Sequence, residues 1–196
     1  TKNQNNKLDA AALVAIANRM ELHRGNPKWV LPRKVDSYRN LGENRKAIEA
    51  CKTMIKLTPE NAGVYYAILG DNHRRLTDYA KAMDAYDKAL ELGYNNKLVH
   101  YNKAEIFKYS GEYEKALASY DKALEMDPDH ISSLSARSEI NEYIFDQDDK
   151  ALADLQKVLA LRKKAEPDGK FFTLDMRISN LQMKIARRNL DRMLLN

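Results

Sequence analysis

The stretch Ala85-Tyr86-Asp87-Lys88-Ala89-Leu90-Glu91-Leu92 returns almost letter for letter as Ser119-Tyr120-Asp121-Lys122-Ala123-Leu124-Glu125-Met126, displaced by 34 residues. The same displacement runs upstream, pairing Ala82 with Ala116, Tyr79 with Tyr113 and Gly70 with Ala104. Small and aromatic residues at helical spacing, repeated at this period, describe a unit of two helices that cannot bury its apolar face alone, so neighbouring units must stack. The fold class is therefore all-α. Such an array carries no built-in chemistry, which makes binding the expected trade.

Counting Lys97 as position 1 of a unit that closes at His130, small residues Ala104, Ala116 and Ala123 occupy positions 8, 20 and 27, and aromatics Phe107, Tyr113 and Tyr120 occupy 11, 17 and 24, with Pro128 at 32. Gly63 to Asn96 supplies Leu69, Gly70, Tyr79, Ala82, Tyr86, Ala89 and Leu90 at the matching places, departing with His73 and Tyr94. This pattern resembles the tetratricopeptide repeat family. Two flanking units follow it less closely. From Lys28 come Tyr38, Gly42, Ala47, Cys51 and Pro59, with Met54 replacing a small residue. Pro32 is expected in a first turn, where its missing N–H costs nothing. From Ile131 come Leu134 and then Ala151, Leu155 and Leu159, after a one-residue insertion in the loop Asp146-Gln147-Asp148-Asp149. The resemblance implies a right-handed α-solenoid of antiparallel helix pairs with N- and C-terminal helices. Its parts, all in one domain, are a polar lead-in and N-terminal helix at 1–27, repeats at 28–62, 63–96, 97–130 and 131–165, and a linker and capping helix at 166–196.

Packing supports the small positions independently. Ala104 and Ala116 fall on successive helices joined by Ser110-Gly111-Glu112, and small side chains let two helix axes approach at the short end of the usual separation of about 8–10 Å. Tyr113 and Tyr120 share one helical face and fill the space beside them. Asp127-Pro128-Asp129 stops the second helix, because proline disfavours helical geometry in the residue before it.

Composition works by exclusion. The 196 residues are 44% hydrophobic and 31% charged, with no run of 18 apolar residues, so the chain reads as soluble and globular without a membrane-spanning helix. Thr1 to Lys7 is a polar lead-in; a cytoplasmic location is favoured, and an exported product with its leader removed stays open. The single cysteine, Cys51, forms no internal disulfide, and its repeat position predicts a buried small hydrophobe rather than a reactive thiol. His23, His73, His100 and His130 lack metal-ligand spacing. The loop from Asp146 to Asp149 lacks the glycine and distant glutamate of a calcium loop, and phosphate-loop and nucleophile-elbow motifs are missing. Asp148 and Asp149 fall on an expected surface turn with no sequestered site for acid–base work. The expectation is a non-enzymatic chain without cofactor or metal.

In tetratricopeptide proteins, positions 2, 5, 9, 12 and 13 of each first helix line a concave groove. Position 9 is acidic throughout: Asp36, Asp71, Glu105 and Glu139. Position 12 holds Arg39, Arg74, Lys108 and Glu142; position 13 holds Asn40, Arg75, Tyr109 and Tyr143. The plainest account pairs each acid with the base three residues later on its own helix. The groove account adds a ligand. Leu98, Tyr101 and Tyr109 suit an apolar or aromatic side chain, Asn102 a peptide backbone, and Asp71 and Glu105 a basic residue. The expected peptide-binding set is Asp71, Arg74, Arg75, Leu98, Tyr101, Asn102, Glu105, Tyr109, Ser135, Glu139 and Tyr143. Its expected ligand is a segment of another protein with a hydrophobic anchor and a flanking Lys or Arg. The two-carboxylate clamp with which co-chaperones of this family grip acidic chaperone C-termini is not matched, since its slots hold Ala67, Asp71, Asn102, Ser132 and Ala136, of which only Asn102 fits.

The net charge of +5 is uneven: the last 40 residues carry 10 basic and 4 acidic side chains. Arg177, Lys184 and Arg188 share a narrow arc of the C-terminal helix and read as a solvated face rather than a nucleic-acid surface, lacking interleaved aromatics or a nucleic-acid motif. The same helix carries two apolar stripes, Leu174, Ile178, Leu181 and Ile185 on one side and Met183, Ala186, Leu190 and Met193 on another. One should cover the fourth repeat; the other is left for self-association or a partner. Two functions follow: an adaptor or scaffold binding a peptide in the groove, or a structural subunit forming a homodimer through the terminal helix.

Overall fold

The computed structural model describes Ala12, Val14, Ala15 and residues 27–194; the lead-in and most of the expected N-terminal helix lie outside the described residues. Among the described residues there is no strand. Helices α1 (Pro27–Leu41) and α2 (Asn44–Leu57) form one hairpin, and a short 3-10 turn at Pro59–Asn61 leads to a second, α3 (Ala62–Arg75) with α4 (Tyr79–Glu91). Then come α5 (Lys97–Tyr109) with α6 (Tyr113–Met126), α7 (Ile131–Tyr143) with α8 (Asp148–Ala165), and a closing helix α9 (Phe172–Leu194). This is an all-α fold of stacked antiparallel helix pairs. The chain divides into two compact units, Thr1–Asn95 and Asn96–Asn196.

The hairpins share one closing device. After α5 the chain turns through Gly111 at φ +75°, and Glu112 N–H returns to Phe107 C=O at 2.9 Å. Gly42 does the same after α1 at φ +73°. Such a left-handed residue satisfies the carbonyls that a helix end leaves orphaned. Between α3 and α4 the position is filled by Thr77 at φ +59°, with Asp78 N–H on His73 C=O at 2.9 Å, although a β-branched residue is strained there.

In the first unit, Leu31 and Val35 of α1, Ile48, Cys51 and Met54 of α2 and Leu69 of α3 form a buried core. Gly70 lies against the buried Tyr86 ring so closely that an added Cβ would stand 2.6 Å from it. Here the structure corrects one expectation. α1 begins at Pro27, so Pro32 lies inside the helix rather than in its first turn. A proline at the sixth helical residue removes one backbone hydrogen bond and crowds the carbonyl four residues before it.

In the second unit, Ala104 and Ala116 are wholly buried where α5 meets α6, with the Tyr120 ring beside them and Ala136 and Ile140 of α7 above. Asn96 caps α5, its side-chain oxygen accepting from Leu98 N–H at 2.9 Å. Ala151 and Leu155 of α8 take Ile178 and Leu181 of α9 onto their outer face. Burying such a side chain fully contributes about 1.5–3 kcal/mol. The inserted residue of the α7–α8 loop is absorbed at Asp146, at φ +51°, while Gln147 N–H returns to Asn141 C=O at 2.7 Å. That arrangement turns the Asp148 side chain inward. It is fully buried at the start of α8, not on a surface turn as expected from sequence.

Candidate functional site

Helical periodicity sets Leu98, Tyr101, Asn102, Glu105 and Tyr109 on one face of α5. Leu98 is 51% and Tyr109 75% exposed, whereas Tyr101 and Asn102 are half-buried. α7 contributes half-buried Ser135 and Glu139 and an exposed Tyr143. The two helices are joined across this face by Lys108, whose ammonium donates to Glu139 at 2.7 Å. Tyr101 stands edge-on to His130, ring centroids 5.2 Å apart, and 6.0 Å from the ring of Tyr120. The Tyr120 hydroxyl donates to Glu105. No hydrogen bond among the described residues takes up the Asn102 amide.

These contacts set the electrostatics of the face. Burial pulls Lys108 down, but its hydrogen bond to Glu139 and the charges of Glu139 and Glu105 outweigh that and leave it above its ordinary value. Burial and the Glu105 hydrogen bond hold the Tyr120 phenol well above its ordinary value, so it donates at any physiological pH. His130 is held below its ordinary value by burial and by Lys97, and its ring nitrogen lies 2.7 Å from Ser133 Oγ. Two carboxylates, Glu105 and Glu139, thus share one ammonium, and this face keeps a surplus of negative charge.

The first unit differs. Asp71 lies within 3.5 Å of Arg39, 3.2 Å of Arg74 and 3.1 Å of Arg75, and only 13% of its side chain is exposed. Three guanidinium groups on one carboxylate leave Asp71 no charge to offer a basic ligand and give the patch a positive surplus. Asp71, Arg74 and Arg75 are therefore brought together as a cluster of their own.

Sequence reasoning missed a rule that the charges obey. The i,i+3 pairing occurs at Asp36 with Arg39, 3.8 Å, and at Asp71 with Arg74. Arg39 also reaches forward to Asp71, and Lys108 reaches Glu139, so the base at position 12 of one repeat serves the acid at position 9 of the next. Reading the columns down the array instead of along each helix carries that signal. At the last repeat the sign inverts. Glu142 takes position 12, and Arg177 of α9 answers it at 2.7 Å while lying 5.3 Å over the Tyr143 ring. Lys184 donates to Asp146 and Asp148 at 2.6 and 2.9 Å, and Arg188 to Asp148 and Asp149 at 3.2 and 2.7 Å. The basic arc of the C-terminal helix is thus a docking surface for its own chain, correcting the expectation of a solvated face.

On another side of the second unit a cavity of about 340 Å³ lies between Leu117, Asp121, Arg137, Asn141, Lys150, Ala153 and Asp154. Its central cation is committed: Arg137 grips Asp154 at 2.7 and 2.8 Å and Asp121 at 2.6 Å. Among the described residues no three His, Cys, Asp or Glu side chains are grouped to hold a metal, and no helix is long and apolar enough to cross a membrane.

Paired helices closed by left-handed turns, with small residues at the helix contacts, define a repeat protein of the tetratricopeptide type. Profiles of the Tetratricopeptide repeat match residues 64–95 and 98–130, so the chain carries two tetratricopeptide repeats there. No curated protein matches it in sequence. Among solved structures it is similar to MamA, with 22% identity, 83% of this chain and 94% of that one covered and a TM-score of 0.70. It is also similar to TTC0263, a thermophilic TPR protein of Thermus thermophilus, with 21% identity, 92% and 99% covered and a TM-score of 0.61. The first TPR of Spaghetti (RPAP3), bound to the HSP90 peptide SRMEEVD, shares 18% identity over 63% of this chain and 93% of that one, with a TM-score of 0.52.

Proposed function

We propose that this protein is a non-enzymatic adaptor or scaffold that holds a peptide segment of a partner protein against α5 and α7. One observation carries the proposal: Leu98, Tyr109 and Tyr143 stand exposed on neighbouring helices around a pair of carboxylates, Glu105 and Glu139, that share one ammonium. Exposed apolar surface rimmed by charge marks an interaction site. Leu98 and Tyr109 take the hydrophobic anchor of the ligand, Glu105 and Glu139 a flanking Lys or Arg, and the uncommitted Asn102 amide its backbone. The Asp71, Arg74 and Arg75 cluster favours an acidic residue instead. Support for peptide binding by this fold comes from the Spaghetti domain with its bound HSP90 peptide.

The test is selection from a random peptide library on the wild-type chain. An aromatic or aliphatic residue next to Lys or Arg is expected to be enriched. The Tyr109→Ala, Glu139→Gln variant is expected to bind the enriched peptide about tenfold more weakly, a loss of about 1.4 kcal/mol, with helicity unchanged. Absence of any enriched peptide of that kind, or equal binding by the variant, overturns the proposal. A second reading, supported by the exposed outer face of α9, is self-association of the chain through that helix.

A further inference from the structure

α9 carries two opposed apolar faces. Ile178 and Leu181 are buried against α8, with Leu174 partly buried beside them. On the far side Met176, Ser179, Met183, Ala186, Leu190 and Met193 are all exposed, Met183 by 63% and Leu190 by 55%. Their spacing is three, four, three, four and three. An alternation of three and four residues is the seam of a helix pair, narrower than the stripe of a helix lying on a globular core. Because this seam faces away from α8, a second helix can pack there without displacing the first. Three of the cations of α9 are turned inward, Arg177, Lys184 and Arg188 being paired with Glu142, Asp146, Asp148 and Asp149 of the same chain, while Arg187 stays exposed at the rim of the seam.

The order of sizes along the seam selects the second helix. Ser179 and Ala186 are small; Met176, Met183, Leu190 and Met193 are large. Two copies paired parallel and in register would set each small residue against itself and leave two underfilled layers, which costs stability. Paired antiparallel about a two-fold axis between Lys184 and Ile185, the same helices set Leu190 against Ser179, Met183 against Ala186 and Met176 against Met193. Every small residue then faces a large one. At the flanks Arg187 falls beside Asn180 and Gln182 beside Asn189, so no like charges pair directly, and no pattern of flanking charges selects a different partner. The surface is thus complementary to itself, as a two-fold interface requires.

We propose that two copies of this chain associate through an antiparallel pair of α9 helices with Leu190 of each copy packed on Ser179 of the other. The arrangement rests on the self-association reading above, and the experiment separates the two. Light scattering of the wild-type chain at micromolar concentration is expected to give twice the 22.5 kDa mass of one chain. Leu190→Glu and Met183→Glu should each halve that mass with helicity unchanged. For the register, Ser179→Cys and Leu190→Cys chains are oxidised separately and after mixing, with native Cys51 buried out of reach. A covalent dimer in the mixture alone supports the antiparallel pair. Covalent dimers from each variant on its own keep self-association and overturn the antiparallel register. A monomeric wild-type chain, or a dimer that survives both glutamate substitutions, overturns the whole proposal.

Discussion

Lys184, near the middle of α9, donates to Asp148, which lies wholly buried 2.9 Å away at the start of α8. Arg188, one turn on, reaches the other oxygen of the same carboxylate at 3.2 Å. α9 is therefore docked twice, by Ile178 and Leu181 and by a carboxylate that has no water to turn to. Asp148→Ala leaves both cations with a weaker partner each, Asp146 or Asp149. Hydrogen bonds to charged groups contribute about 1.5–3 kcal/mol, so the variant should lose about 2 kcal/mol in denaturant unfolding. Amide exchange should rise first over 172–194. An unchanged midpoint would show that the apolar contact alone holds the helix.

The same docking should depend on pH. Its hydrogen bond to Lys184 holds the Asp146 carboxyl below its ordinary value, and the bonds to Asp146 and Asp148 hold Lys184 above its own. A depressed carboxyl contributes stability above its unfolded pKa, which is lost as pH falls through the folded value; a raised ammonium contributes below its unfolded pKa, lost as pH rises through the folded one. α9 should stay docked across the neutral range and loosen below about pH 4. The methyl resonances of Ile178 and Leu181 report this. Displacement of those signals near neutrality would contradict it.

Thr77 should be replaceable with a gain in stability. It sits at φ +59°, in the place that glycine fills at 42 and 111. Left-handed geometry costs a side-chain-bearing residue roughly 1–2 kcal/mol, and glycine returns about 0.4–1 kcal/mol of that through the entropy of the unfolded chain. Thr77→Gly is therefore expected to stabilise by up to about 1 kcal/mol, read as a higher Tm.

Backbone architecture and charge pairing were unequally legible in the sequence. Ala104, Ala116, Tyr120 and Cys51 are buried as their repeat positions predict, because helix contacts in a repeat are local and recur with its period. Partners of long charged side chains are not local. Spacing along α5 assigns Lys108 to Glu105, yet the ammonium reaches Glu139 of the next repeat. The basic arc of α9 is read as solvated because its acids lie up to 40 residues away, in a loop whose inserted residue re-aims Asp148. Pro32 misleads for a different reason. Proline marks a helix start only where nothing earlier can serve, and Pro27 does.

Gly70→Ala opposes two effects of known size. Alanine in a helix interior is favoured over glycine by about 1 kcal/mol, but its Cβ would stand 2.6 Å from the buried Tyr86 ring. Overpacking of this kind costs roughly 1–3 kcal/mol, so the net change should be destabilising. The Gly70→Ala, Tyr86→Leu double variant should recover part of the loss relative to Tyr86→Leu alone. Simple additivity would show that the close approach is not what selects glycine.

Cys51 supplies a probe of opening in its own compact unit. Burial pushes its thiol up to about 12, so at neutral pH almost none of the reactive thiolate is present in the folded chain. The side chain is also closed to solvent within the core of α1, α2 and α3. As the chain has one cysteine, a thiol-reactive disulfide reagent reads one site. Labelling should be far slower than for an unfolded control, rise through the unfolding transition, and reach a rate independent of reagent concentration once opening limits it. A destabilising change in that core, such as Met54→Ala, should speed it, whereas Asp148→Ala should not, because α9 belongs to the other compact unit. Labelling as fast as in the unfolded control would mean that Cys51 is reached without opening the core, and acceleration by Asp148→Ala would mean that the two units open together.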